Sequence, residues 1–511
     1  MLMHQCTNAL DRTKYPPWRK RKFQEERASK VQFAGWRDAP ELAWGGGALA
    51  TRSIYPGWRA MKERIRMPAA KSTFRSLKGF NYRTWAVGAI VSNVGTWMQR
   101  TAQDWIVLTQ LTHNNATSVG VVMALQFGPQ VFLLPLTGFA ADHLDRRKLL
   151  FATQAAMGAL ALGLGLLTIA GLVQLWHVYV FAFLLGCVTA FDSPARQTFV
   201  SELVVEADVS NAVALNSTSF NAGRMIGPAI AGVLIATVGS GWVFVINAAS
   251  FAAVLCSLSL LRVGELHLRG RALLTRGSLA EGFRYVWKRP DLKAVLLMLF
   301  LIGTFGLNFP IFISTMSVSV FHGGPGQYGL LMSIMAIGSV AGALLAAGRA
   351  KPRIVLLVSG AAIFGLGFAV AAVMPTYGLF GIALIVIGVA AQTFTTTANS
   401  AVQLSTEPVM RGRVMAILLA IALGGTPIGA PIVGWVADTF GPRWALSIGA
   451  AAGFAAAIVG IYYLTKYGHL RVRFDAGRFR FSFDDRESPP VQLNQLVPSR
   501  NESEPHVGYR T

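Results

Sequence analysis

Apolar residues come in long unbroken runs along this chain, and charge is confined to the short stretches between them. The runs at 119–141 and 149–177 hold no Asp, Glu, Lys or Arg, and each exceeds the roughly twenty residues needed to cross a bilayer core. Between them lies Asp142-His-Leu-Asp145-Arg146-Arg147-Lys148, which reads as a hairpin tip. The same pattern predicts further spans, so that the set runs 82–111, 119–141, 149–173, 178–198, 213–238 and 242–261, then 294–318, 328–347, 354–373, 379–399, 414–436 and 444–463. The expected fold is therefore an all-α polytopic membrane protein with about twelve transmembrane helices in two six-helix halves.

Composition agrees with that class and charge orients it. Hydrophobic residues make up 53% of the 511 residues and charged ones 14%, with a mean hydropathy of +0.47, values outside the range of soluble domains. The net charge of +22 would suit nucleic acid, but the basic residues sit in alternate connections and in the tails, with no groove-reading motif; sorting of Lys and Arg to the cytoplasmic side accounts for them. Arg146, Arg147, Lys148, Arg349, Lys351, Arg353, Arg411 and Arg413 fall on one side, whereas Arg443 is the one Lys or Arg in the six opposite turns. Both termini are expected in the cytoplasm, with the protein a multi-pass monomer of the bacterial inner (plasma) membrane. Residues 1–79 and 466–511 read as tails, the first basic and disordered, and a translation start at Met61 or Met67 would shorten it. Cys6, Cys187 and Cys256 are isolated, with no C-x-x-C spacing, which predicts neither a disulfide framework nor a metal site.

An internal repeat divides the chain. Gly227 and Gly429, Gly232 and Gly434, and Trp242 and Trp444 are each 202 positions apart, so the fifth and sixth spans align with the eleventh and twelfth. The expected units are a bundle at 80–262, a cytoplasmic loop at 263–293 with eight basic residues, counting Arg262 at its edge, against Glu265, Glu281 and Asp291, and a second bundle at 294–465. Parallel repeats of this kind hold substrate near the bilayer midplane, where the halves meet.

Charges within spans mark the candidate chemistry. Arg224 falls near mid-bilayer, where a charge is costly and needs a partner; Asp104 is the first choice and Asp192 the second, while Arg100 lies one helical turn before Asp104 and Arg196 one turn after Asp192. Either a fixed ion pair or a titrating carboxylate coupling protons to substrate fits this pattern. Gly223, Gly227, Pro228 and Gly232 predict a tightly packed, bent fifth helix, so that a bulky residue at Gly227 is expected to block cycling more than expression. Polar and aromatic residues within spans nominate a cavity: Asn93 and Trp97, Gln126 and Gln130, Asn216 and Asn221, Phe305 and Asn308, Gln392 and Asn399. Amides and aromatics of this kind suit an amphipathic small molecule. No G-x-x-x-x-G-K-[ST] occurs, nor is there a nucleophile and acid–base set or a metal cluster at membrane depth, so neither an enzyme nor any cofactor is expected.

Three segments carry a resemblance. Gly138-x-x-x-Asp142-x-x-Asp145-Arg146-Arg147-Lys148 resembles motif A of the major facilitator superfamily, with Asp145 at the usual second glycine. The 223–232 segment is similar to motif C of that superfamily's exporters, whose fuller pattern has glycines where this chain has Leu215 and Ala231. Phe191-Asp192-Ser-Pro194-Ala-Arg196-Gln197-Thr and Asn211-Ala-Val-Ala-Leu-Asn216 resemble the transmembrane secretion effector branch, which contains the enterobactin exporter. The resemblance implies a secondary transporter that exports a siderophore or drug in exchange for protons. It also implies a cytoplasmic gate at Gly138, Asp142, Asp145, Arg146 and Arg147. An importer or facilitator of a small metabolite, or a non-transporting receptor on the same fold, are the alternatives.

Overall fold

The computed structural model describes residues 73–133, 136–137, 140, 144–267, 279–347, 354–467, 470–475 and 478–483. Of the motif-A residues, Gly138 and Asp142 lie outside the described residues. Ten described helices are long and apolar enough to cross a membrane, and two more, described next, complete twelve.

The first half comprises α1 (Phe80–Trp105, continued by a wide π-turn at Ile106–Leu111), α2 (Ala116–Phe132), α3 (Arg146–Ile169), α4 (Leu175–Glu202), α5 (Val209–Thr237) and α6 (Ser240–Ser259). A short amphipathic helix, Leu279–Lys288, follows. The second half holds α7 (Pro290–Val320), α8 (Pro325–Ala347), α9 (Ile354–Val373), α10 (Tyr377–Ser405), α11 (Arg411–Phe440) and α12 (Pro442–Tyr467). α4, α5, α10 and α11, of 28 to 30 residues, exceed the hydrocarbon thickness and have room to tilt or project. Large apolar side chains such as Val233, Ile382 and Ile458 are exposed, while Gln154, Thr304, Asn308 and Ser317 are fully buried. Polar inside and apolar outside is the order lipid imposes.

Local chemistry sets the helix ends. Asp145 Oδ1 accepts the Lys148 amide at 3.1 Å, capping α3; the residue that departs from motif A thus has a structural task. Asn115 caps α2 in the same way. The turns into α6 and α12 pass through Gly239 (φ +91°) and Gly441 (φ +100°), a region open to glycine, and these glycines are also 202 positions apart. α1 and α7 both end in a wide turn, closed by Asn114 N–H to Leu108 O and by Gly323 N–H to Ser317 O. The repeat therefore extends to turn geometry.

Within the first half α1 packs on α5 and α6, α3 on α4 and α6, and α2 on α4; in the second half α7 lies on α11 and α12, α8 on α10, and α9 on α10 and α12. Two extensive pairs join the halves, α2 with α11 and α5 with α8, and the Phe309–Thr315 part of α7 adds smaller contacts with α1 and α2. Glycine makes both junctions close: a Cβ on Gly232 would lie 2.7 Å from the Pro325 oxygen, and one on Gly434 would lie 2.7 Å from Thr117 Cα.

Three features depart from the expectation. α7 is broken, with a π-turn at Ile302–Gly306 and a fresh start at Phe309–Thr315; Pro310 has no N–H to continue the ladder, and Asn308 Nδ2 bonds the Thr304 carbonyl at 2.7 Å. Residues 73–79, expected in the disordered tail, carry a 3-10 turn at Arg75–Lys78 clipped to the start of α5, where Asn211 Oδ1 accepts from Ser76 N and Oγ and Arg75 pairs with Asp208 at 3.0 Å. After α12, the region expected as a tail contains an antiparallel ribbon, β1 (Leu470–Asp475) and β2 (Arg478–Phe483), registered Leu470 to Phe483.

Candidate functional site

The end of the bundle bearing Arg146, here the basic end, and the opposite end differ in closure. At the opposite end Asp438 of α11 accepts from the Ala116 and Thr117 amides of α2 at 2.7 and 2.8 Å and from the Thr117 hydroxyl, neutralising the helix N-terminus of the other half. α5 and α8 touch beside it, where Gly329 packs on the Pro228 carbonyl. Deeper in, Tyr328 of α8 donates to Asp104 Oδ2 at 3.1 Å and stacks on Trp105, with ring centroids 6.3 Å apart. Contact between the halves thus closes the opposite end.

Below that seal lie two cavities. The smaller, about 150 Å³, sits between the halves and takes Trp97, Arg100, Asp104, Gln126 and Arg224 from the first half and Leu307, Phe309, Met332 and Met335 from the second. The break in α7 brings Leu307 and Phe309 to its wall. The larger, about 620 Å³, is lined by the first half alone, including Asn93, Arg100, Asp192, Arg196, Asn216 and Asn221. It reaches Val200 of α4 and Val213 of α5, near the basic ends of their helices, where Val213 is exposed. Arg100 lines both cavities.

The intramembrane charges do not pair as expected. Among the described residues Asp104 and Arg224 form no ion pair, and neither do Arg100 and Asp104. Asp104 turns to Tyr328 across the halves, while Arg224 lies over the Trp97 ring at 5.7 Å and reaches the Met335 sulfur at 3.9 Å. Arg100 lies over the same indole, 5.0 Å from its centroid, and 5.6 Å from that of Phe127. The cause is depth: Asp104 lies seven residues, about 10 Å, beyond Trp97 on the same face of α1, so it meets Tyr328 of α8 while Arg224 stays level with the indole. Asp192 is buried rather than at the surface, and accepts from Thr153 at 2.8 Å, Gln154 at 2.6 Å and Arg196 at 3.1 Å, so its lone pairs are occupied.

Of the nominated cavity residues, Asn93, Trp97, Gln126, Asn216 and Asn221 line one or other space. Asn93 Nδ2 donates to Ser219 at 3.0 Å. Gln130 instead bonds back to the Gln126 carbonyl, Gln392 bonds Thr396, Asn308 is buried at the α7 break, and Asn399 is exposed; these and Phe305 line neither space. At the basic end Arg146 pairs with Glu202 of α4, and Arg147 Nε donates to Leu258 O at 3.0 Å. Both contacts stay within the first half. Gly223 and Gly227 pack on Asn93 and Trp97 of α1, and Gly232 on α8. Sequence reasoning missed Tyr328, Phe127, Phe309 and Met335; a tyrosine at a helix start carries no signal, whereas the α7 break was also missed although Gly303, Gly306 and Pro310 are helix breakers.

A family model described as transmembrane secretion effector matches residues 71–472. The chain is 26% identical over 366 residues to the multidrug efflux pump Tap of Mycolicibacterium fortuitum, covering 69% of this chain and 88% of that one. It is 25% identical over 358 residues to the staphyloferrin A transporter of Staphylococcus aureus (68% and 87%), and 25% over 389 residues to the enterobactin exporter of Citrobacter koseri (75% and 89%). In fold it resembles a POT family transporter solved with 5-aminolevulinic acid, at a TM-score of 0.63 and 12% identity, covering 76% of this chain and 96% of that one. A two-half bundle with a central cavity and a match over most of its length place the chain in the transmembrane secretion effector family of the major facilitator superfamily, as a multi-pass membrane transporter.

Proposed function

We propose that the protein exports a small amphipathic molecule, of siderophore or drug type, in exchange for protons by alternating access across the bacterial inner membrane. The observation that carries this reading is the cavity between the halves, closed at the opposite end by Asp438 and Tyr328, with Asp104 in its wall. In this reading the basic end faces the cytoplasm together with both tails and the 263–293 loop, and substrate enters through the larger cavity. Asp104 carries the proton, because it is the carboxyl group shared by the cavity and the contact that must break when the opposite end opens. The motif-A residues Asp145, Arg146 and Arg147, with Gly138 and Asp142, serve the cytoplasmic gate. The monomer is the working unit, with lipid and small molecules its partners.

Inverted membrane vesicles with an imposed pH gradient and a panel of amphipathic compounds test the proposal. Uptake driven by inside-acid pH and abolished by a protonophore is expected. Accumulation of no compound, or uptake indifferent to the gradient, overturns export or coupling respectively.

A further inference from the structure

Arg100 and Arg224 bring two guanidiniums to one small space without a carboxylate bonded to either. Both lie over the Trp97 indole, and among the described residues neither takes part in an ion pair. Arg100 Nε and Trp97 Nε1 are shielded from solvent and have no acceptor. The carboxyl group in the same cavity, Asp104, is turned to Tyr328. A buried donor left without a partner costs about 1–3 kcal/mol, and two like charges drawn to one indole add repulsion. A compact anion removes both penalties: guanidinium forks accept a carboxylate in two parallel bonds, and the indole N–H supplies a further donor.

We propose that this cavity is an anion seat, so that the transported molecule bears a carboxylate or comparable anionic group held by Arg100, Arg224 and Trp97 Nε1. This rests on the transporter reading and narrows its substrate class. The body of the molecule lies against Phe127, Phe309 and Met335, whose apolar surfaces wall the space, and extends past Arg100 toward the larger cavity. Two formal positive charges against one carboxyl disfavour a cationic amphiphile.

Calorimetry on the full chain in nanodiscs, with 1-naphthoate, 1-naphthamide and 1-naphthylmethylammonium as probes, tests the proposal. Naphthoate should bind about tenfold or more tighter than the amide, the ratio expected for one charge-assisted bond beyond a neutral one. Arg100→Gln and Arg224→Gln should each cut that preference several-fold, and the double variant should erase it. Equal affinity for all three probes, preference for the ammonium, or no saturable naphthoate binding overturns the seat. Thermal melting checks that each variant folds; should Arg100→Gln not fold, Trp97→Phe keeps the ring, loses one donor, and is expected to weaken naphthoate about threefold. Unchanged naphthoate affinity in Trp97→Phe counts against the seat. The two readings fail separately: naphthoate binding with no vesicle transport of any compound sinks transport and leaves the seat, whereas transport confined to cations does the reverse.

Discussion

Asp104 and Asp192 are both aspartates at membrane depth, yet their surroundings differ in kind. Asp192 is held by Thr153, Gln154 and Arg196, all within the first half, whereas Asp104 bonds a tyrosine of the other half. Asp192→Asn sets an amide donor against Gln154 and strips Arg196 of its anion, which should cost about 1–3 kcal/mol; a lower melting temperature and reduced abundance are expected, with wild-type abundance and stability the contrary result. Asp104→Asn should keep exchange and lose uphill export, and full gradient-driven transport at normal abundance would remove Asp104 from coupling. Tyr328→Phe preserves the stack on Trp105 but deletes the bond, worth about 1 kcal/mol, so the opposite-end-open population should rise roughly fivefold in distance measurements between spin labels. The cost of burying charge made Asp104, Asp192 and Arg224 legible in the sequence. Their partners were not, because depth in the bundle and the helix packed alongside decide them.

At the scale of elements, glycines sort by what they pack against. Gly227 meets Trp97 and Val94 of α1, inside the first half, while Gly232 meets Pro325 and Gly326 of α8, across the halves. The expectation that Gly227→Leu blocks cycling more than expression therefore moves to Gly232. Gly227→Leu should disrupt assembly of the first bundle and lower abundance. Gly232→Leu should leave that bundle folded, hold α5 off α8, and reduce transport several-fold at near-normal abundance. A measurement of protein level and initial transport rate on both variants decides, and the reverse order would contradict the assignment. Glycine spacing disclosed that α5 packs closely, but spacing alone cannot name the neighbour. The ribbon β1–β2 also escaped the sequence reading, because its segment sits in a region judged by polarity alone although it alternates, as in Arg478-Phe479-Arg480-Phe481.

At the scale of the whole molecule, the repeat was legible because matched glycines perform matched tasks. Gly232 seats α5 on α8, and Gly434, its counterpart, seats α11 on α2. What the repeat could not disclose is where the halves differ: the larger cavity belongs to the first half alone, and Asp438 has Ala236 as its counterpart, so one junction alone receives a carboxylate cap. That asymmetry permits a direct test of alternating access. Thr117 Oγ1 and Asp438 Oδ2 are hydrogen-bonded across α2 and α11, so Thr117→Cys with Asp438→Cys, in a background lacking Cys6, Cys187 and Cys256, places two thiols within reach of a disulfide. Oxidation should lock the opposite end shut. Transport should then fall to background, ligand binding from the basic end should persist, and reduction should restore transport to the level of the unoxidised pair. The single Asp438→Asn variant, with the cap weakened by about 1 kcal/mol, should shift the population toward opening of this end without blocking the cycle. Full transport by the oxidised pair would mean that this end never parts, and export by alternating access would have to be abandoned.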